Sequence, residues 1–266
     1  INSISAQPVF SHKHGFYDAP FNLTITPLTA GSIRYTTDGS EPGPGNGTSY
    51  TGPIYIDTIT VLRAVEINDG KAGKIATATF LFPDDIILQP NNPEGYPSTW
   101  GPYTAISGTA IADYEMDPEL VAIPGFEERL KSALLSIPTI SVVTDRNYLF
   151  SKSQSPDSGG IYIYTGPPLT NTTNGLGSGW ERPASFEYID PSGSISFQVD
   201  CALQLHGGHS RRPEKSPKHS FRLEFKEKYG PSRLNFPFFG NDAAPDFDAI
   251  VLRAGFNNSW VHHTES

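Results

Sequence analysis

The chain has 266 residues with a formal net charge of −9, 37% apolar residues, 25 Gly and 24 Pro, a mix that suits a turn-rich, mostly β protein of two domains and excludes a helical bundle or a disordered tail. A single cysteine, Cys201, excludes an intrachain disulfide and a thiolate metal cluster, and reads as a small buried hydrophobe. No apolar run reaches the roughly 18 residues of a membrane helix, and an acidic chain with one basic patch argues against nucleic acid as a partner.

Residues 1–83 read as a small β-sandwich of the immunoglobulin or fibronectin-III kind. Phe21, Leu23 and Ile25 alternate with Asn22, Thr24 and Thr26, and Ile33, Tyr35 and Thr37 repeat the period of two. Asp38-Gly39 predicts a turn, and Asn68-Asp69-Gly70 predicts the hairpin that closes a longer strand. That strand is expected to set Leu62, Ala64 and Glu66 on one face and Val61, Arg63 and Val65 on the other. The words IRYTTDGSEP, YTGPI and TVLRAVEINDGK resemble the C-terminal domain of chitobiase-type hexosaminidases, also described as fibronectin-III-associated. That resemblance implies an accessory module of secreted multidomain proteins. A sugar platform there would need exposed rings, with Phe16, Tyr50 and Tyr55 as candidates, although packing of the sandwich is the stronger reading for them.

Residues 84–124 form a Pro/Asn/Trp-rich connection, ordered rather than flexible because Tyr96, Trp100 and Tyr103 would be wasted on a disordered segment. Asp113, Glu115 and Asp117 sit in an acidic run that could offer oxygens to calcium, but the Gly and distal Glu of an EF-hand loop are missing. A loop capping a helix at Asp117-Pro118 is the preferred reading. Residues 125–266 then read as an α+β domain. Phe126, Leu130, Leu134 and Ile137 predict an amphipathic helix ended by Pro138. ISVVTD predicts a buried strand, and Asp145 caps one further helical turn. Ile161–Tyr164 reads as a short strand, and Asp190-Pro191-Ser192-Gly193 as the turn of a hairpin.

The charge is concentrated in LQLHGGHSRRPEKSPKHSFRLEFKEKY, Leu203 to Tyr229. Between Gln204 and Arg233 eight cations face three carboxylates, a net +5 that leaves −14 for the rest of the chain. A basic Gly/Ser loop between two strands can hold an anion on its backbone N–H groups, with Lys218 sharing the charge. On spacing alone a solvated basic hairpin is the stronger reading. The loop is neither a Walker A sequence nor GxGxxG. His206, His209 and His219 are too few and too surface-like to favour zinc.

Gly207, Gly208, Ser210, Arg211, Pro217, Lys218, Ser220, Phe221 and Arg222, followed by LNFPFF and FDAIVLRAGFNNSW, resemble the CotH kinase-like family (spore coat protein H relatives). This sequence has His206 and His219 where that family commonly has Arg and Lys. The resemblance spans roughly Ile86 to Trp260 and implies the N-terminal part of an atypical kinase-like fold that transfers phosphate from ATP, with Mg²⁺, to protein Ser/Thr. It implies Lys218 and Arg211 as phosphate contacts, supported by Gly207, Gly208, Ser210 and Arg222, with Glu187 as carboxylate partner of Lys218. The metal-holding catalytic residues are expected beyond Ser266, so the catalytic residues themselves are not assigned. The whole is expected to be a monomeric fragment of a bacterial secreted or cell-surface protein. Its partners are a protein substrate or, in a non-catalytic scaffold, a surface glycan.

Overall fold

The computed structural model describes residues 7–102, 109–151, 153, 155, 159–161, 180–193, 195–207, 219–240 and 242–254. The described chain is mostly β, in several sheets, with short helices confined to connections. It forms two compact units. The first gathers residues up to Pro93, Tyr114–Asp145 and Ser185–Gln198; the second gathers Glu94–Asp113, Arg146–Ala184 and the residues from Val199 onward.

In the first unit a five-stranded sheet runs in the order Gly15–Phe16, Lys71–Leu81, Thr60–Asn68, Ser32–Thr36, Thr48–Ser49. Two two-stranded sheets accompany it, Phe21–Leu23 with Ile54–Ile56 and Val9–Phe10 with Ile25–Thr26. Leu23, Ile25, Ile33, Ile56, Leu62, Ala64, Ala78, Phe80 and Phe82 form one buried core, as the inner faces of a sandwich should. The hairpin Thr60–Asn68/Lys71–Leu81 turns at Asp69 (φ 49°) and Gly70 (φ 73°), the two positive φ values that a type I′ turn needs. The sequence reads that turn correctly.

Both faces of the strand Thr60–Asn68 are covered, because Leu62, Arg63, Ala64, Val65 and Glu66 are all buried. Two polar side chains inside the run therefore find partners within the protein. Arg63 Nη1 donates to the carbonyl of Gly39 at 3.0 Å, gripping the Asp38-Gly39 turn. The Glu66 carboxylate accepts the N–H groups of Leu28, Thr29 and Gly31 at 3.0 Å each, together with the Thr29 hydroxyl. Gly31 is required at this turn, since a Cβ would lie 2.5 Å from Asn68 Oδ1 and 2.7 Å from Glu66 Cγ.

Later segments of the first unit follow the sequence in outline. Asp117 caps the helix Pro118–Val121, its Oδ1 accepting the N–H groups of Glu119 (2.9 Å) and Leu120 (3.4 Å). The helix Phe126–Leu134 ends before Ile137, which is 63% exposed instead of closing the apolar face. Thr139–Val143 is a strand, but only Val143 in it is buried. Among the described residues it pairs on one side alone, antiparallel to Arg182–Ile189 with Ser141 opposite Glu187, and an edge strand has less cover than its apolar residues suggest. Asp190–Gly193 forms the expected turn, with Gly193 N–H donating to the Asp190 carbonyl at 2.8 Å.

In the second unit Ser220–Glu224 pairs antiparallel with Ala202–His206 on one side and Ala249–Leu252 on the other. Cys201, Ala202, Leu203, Leu223 and Phe225 are buried, while Arg222, Glu224 and Lys226 take the opposite, wetter face, as the period of two predicts. Of the expected strand Ile161–Tyr164, residues 162–164 lie outside the described residues.

Burial pushes the Glu66 carboxyl up, but the Thr29 hydroxyl, the Gly31 and Leu28 N–H groups and the Asn68 amide outweigh it and hold it below its ordinary 4.5. The stabilisation is thus present above about 4.5 and is lost as pH falls through the lower folded-state value. Glu66→Gln should cost about 2 kcal/mol at neutral pH, the scale of hydrogen bonds to a charged group. It should also flatten the loss of stability on acidification, as read by urea unfolding between neutral and acid pH.

Candidate functional site

The register that closes the basic hairpin runs from Ala202↔Glu224 to His206↔Ser220, so the loop leaves and re-enters the sheet at neighbouring positions. Gly207 opens it at φ 102°, a conformation that a side chain would strain. Gly208, Ser210, Arg211 and Lys218 lie outside the described residues, as does His209. The geometry of the phosphate candidates therefore reduces to the base of the hairpin and to Arg222.

Arg222 stands on the wet face with Nη2 3.9 Å from Glu224. Beside it Glu181, which arrives from 45 residues before Lys226, collects several donors. Lys226 Nζ lies at 2.7 Å, Gln204 Nε2 at 3.1 Å, the Tyr229 hydroxyl at 3.3 Å and Lys228 Nζ at 3.8 Å. Lys226 also reaches Glu224 at 3.1 Å. Burial pushes the Glu181 carboxyl up, yet Lys226 and Gln204 more than reverse this and hold it below the usual range. The Glu181 hydrogen bond in turn raises the Lys226 amine. The sequence count of charges missed Glu181 because nothing local links it to the stretch. Its effect is to compensate Lys226 and Lys228 on the strand half of the patch.

Glu187 has a different setting, inside the first unit. It is fully buried, with His14 Nδ1 at 2.7 Å and the Thr79 N–H at 3.1 Å from its Oε1, while the Thr79 hydroxyl donates to Oε2. Thr79 Oγ1 also meets Ser141 Oγ at 2.8 Å. These contacts tie three separate segments to one carboxylate, a structural role that local sequence does not reveal.

Asp113 and Glu115 are exposed, and Asp117 is engaged as a helix cap. Among the described residues no group of three or more His, Cys, Asp or Glu is placed to hold a metal. Burial, with Asp200 nearby, pushes the Cys201 thiol up to about 12, which leaves it unreactive. Of the three candidate rings, Tyr50 packs against the sandwich core and its hydroxyl accepts the Ile25 N–H at 3.1 Å. Phe16 is half-buried in the sheet, and Tyr55 is 60% exposed.

Residues 12–79 match the family described as the chitobiase/beta-hexosaminidase C-terminal domain, which supports the sandwich reading over that segment. No curated protein matches the chain.

Replacing Glu181 by Gln should lower the Lys226 amine toward its ordinary 10.5, since the first cause of its elevation is removed. A titration of the lysine side chains by NMR reads this directly. An unmoved Lys226 would show that Glu181 does not compensate the patch.

Proposed function

We propose that the Leu203–Tyr229 hairpin holds the polyphosphate of ATP as part of a CotH kinase-like domain. In the full-length secreted or cell-surface protein that domain moves the γ-phosphoryl group, with Mg²⁺, to a protein Ser or Thr hydroxyl and leaves ADP. The observation that carries this reading is the register ending at His206↔Ser220. It brings both ends of a Gly-containing loop together and gathers Arg211, Arg212, Lys215 and Lys218 against a single Glu214 on that short connection. Backbone N–H groups and clustered cations suit a polyphosphate, and phosphoryl transfer asks the protein mainly for positioning and charge stabilisation.

A second reading, a non-catalytic scaffold or glycan-associated module, is favoured by the engagement of Glu187 with His14 and Thr79 and by the accessory character of the matched domain. In that case the basic loop is solvated surface.

Calorimetric titration of the full-length protein with ATP and Mg²⁺ separates the two. The kinase-like reading expects binding that weakens as salt is raised. It also expects Lys218→Ala and Arg211→Ala each to lose about tenfold or more, the scale of a charged hydrogen bond. Absence of binding, or equal affinity in both variants, favours the scaffold.

A further inference from the structure

On the outer face of the sandwich sheet the first unit carries an open cleft of about 500 Å³, within the roughly 300–1,000 Å³ typical of small-molecule sites. Its walls come from the N-terminal segment at Gln7–Phe10 and His12–His14, from Ala76–Ala78 and from Ser196–Gln198, with Leu28 at the rim. In the strand Lys71–Leu81, Thr77 and Thr79 point to the side opposite Ala76, Ala78 and Phe80, so Thr77 lies on the face where Thr79 holds Glu187.

Two polar atoms in this cleft stand out. Thr77 is 5% exposed and its Oγ1 is buried with no hydrogen-bond partner among the described residues. Native proteins pair the great majority of such groups, so an orphan hydroxyl in a cleft wall points to a ligand. His14 lines the same cleft with Nδ1 committed to Glu187. That contact fixes the ring and leaves Nε2 for a further partner.

The remaining lining defines the ligand class. Gln7 and Gln198 contribute carboxamides: Gln7 Nε2 donates to the Ile75 carbonyl at 3.1 Å and lies 3.4 Å from Gln198 Oε1, and Gln198 Nε2 donates to Ser185 Oγ at 2.8 Å. Phe10, Phe197, Val9 and Leu28 supply apolar surface. Among the described residues Lys13 is the one lysine or arginine in the lining, and no carboxylate takes part, which disfavours a polyanion or a cationic peptide. Uncharged groups that both donate and accept suit vicinal hydroxyls, and apolar walls suit the C–H face of a sugar ring.

We propose that this cleft binds a neutral pyranoside, with Thr77 Oγ1 and His14 Nε2 meeting its hydroxyls. The inference rests on the glycan-associated reading above and gives it a site away from Phe16, Tyr50 and Tyr55.

The test is ligand-observed NMR of the full-length protein with methyl β-glucopyranoside, methyl β-galactopyranoside and methyl N-acetyl-β-glucosaminide. The variants are Thr77→Val, which removes only the hydroxyl, and Gln198→Ala. Binding of at least one glycoside is expected, weakened about fivefold or more in Thr77→Val, the scale of one lost hydrogen bond. Thr77→Val should keep or raise the melting temperature, since it removes a buried unpaired group, so a lost signal reports the ligand and not unfolding. Failure of all three glycosides overturns the cleft, as does binding of a hydrophobic tripeptide in their place. Retention on insoluble polysaccharide then separates the two ideas. Retention that survives both substitutions overturns the cleft but keeps the glycan reading, whereas no retention of the unmodified protein sinks the reading itself.

Discussion

A buried carboxylate is the constraint on which the first unit depends. Glu187 is withdrawn from water, and an ion in that position persists only if hydrogen bonds replace its solvent. The N–H and hydroxyl of Thr79 and the ring of His14 do so, drawing on strand Lys71–Leu81 and on the segment before Gly15. Ser141, opposite Glu187 in the neighbouring strand, completes the chain of contacts through Thr79 Oγ1. The segment matched at residues 12–79 therefore does not stand by itself here; its outer sheet face is bonded to strands more than 60 residues later. Thr77, two residues along the strand, lines the cleft with its hydroxyl unpaired among the described residues.

Local chemistry was legible and long-range chemistry was not. Asn68-Asp69-Gly70, Asp190–Gly193 and the cap at Asp117 were readable because turn and cap residues act on their own backbone within a few positions. The alternation of Leu223 and Phe225 with Arg222 and Glu224 was readable because a period of two is a property of the strand itself. Arg63 and Glu66 fall on opposite faces of an alternating strand, and only the turns at Gly39 and at Leu28–Gly31 explain how both are buried. Ile137 and Ile140 misled in the opposite sense, being apolar residues past a helix end and on an edge strand.

The candidate site shows the same division. The hairpin follows from the sequence, but the charge of the patch does not, because Glu181 enters from outside the stretch and compensates Lys226 and Lys228. Glu187, the carboxylate that family resemblance implies for Lys218, is engaged by His14 and Thr79 inside the first unit, and Lys218 lies outside the described residues.

A double-mutant cycle on Glu187→Gln and Thr79→Val, read by chemical denaturation, tests most directly whether this carboxylate holds the first unit together. Each substitution alone should destabilise. Together they should fall short of the sum by about 1–3 kcal/mol, the range for residues sharing one buried network. Effects that add to within about 0.5 kcal/mol would contradict the central role given to Glu187.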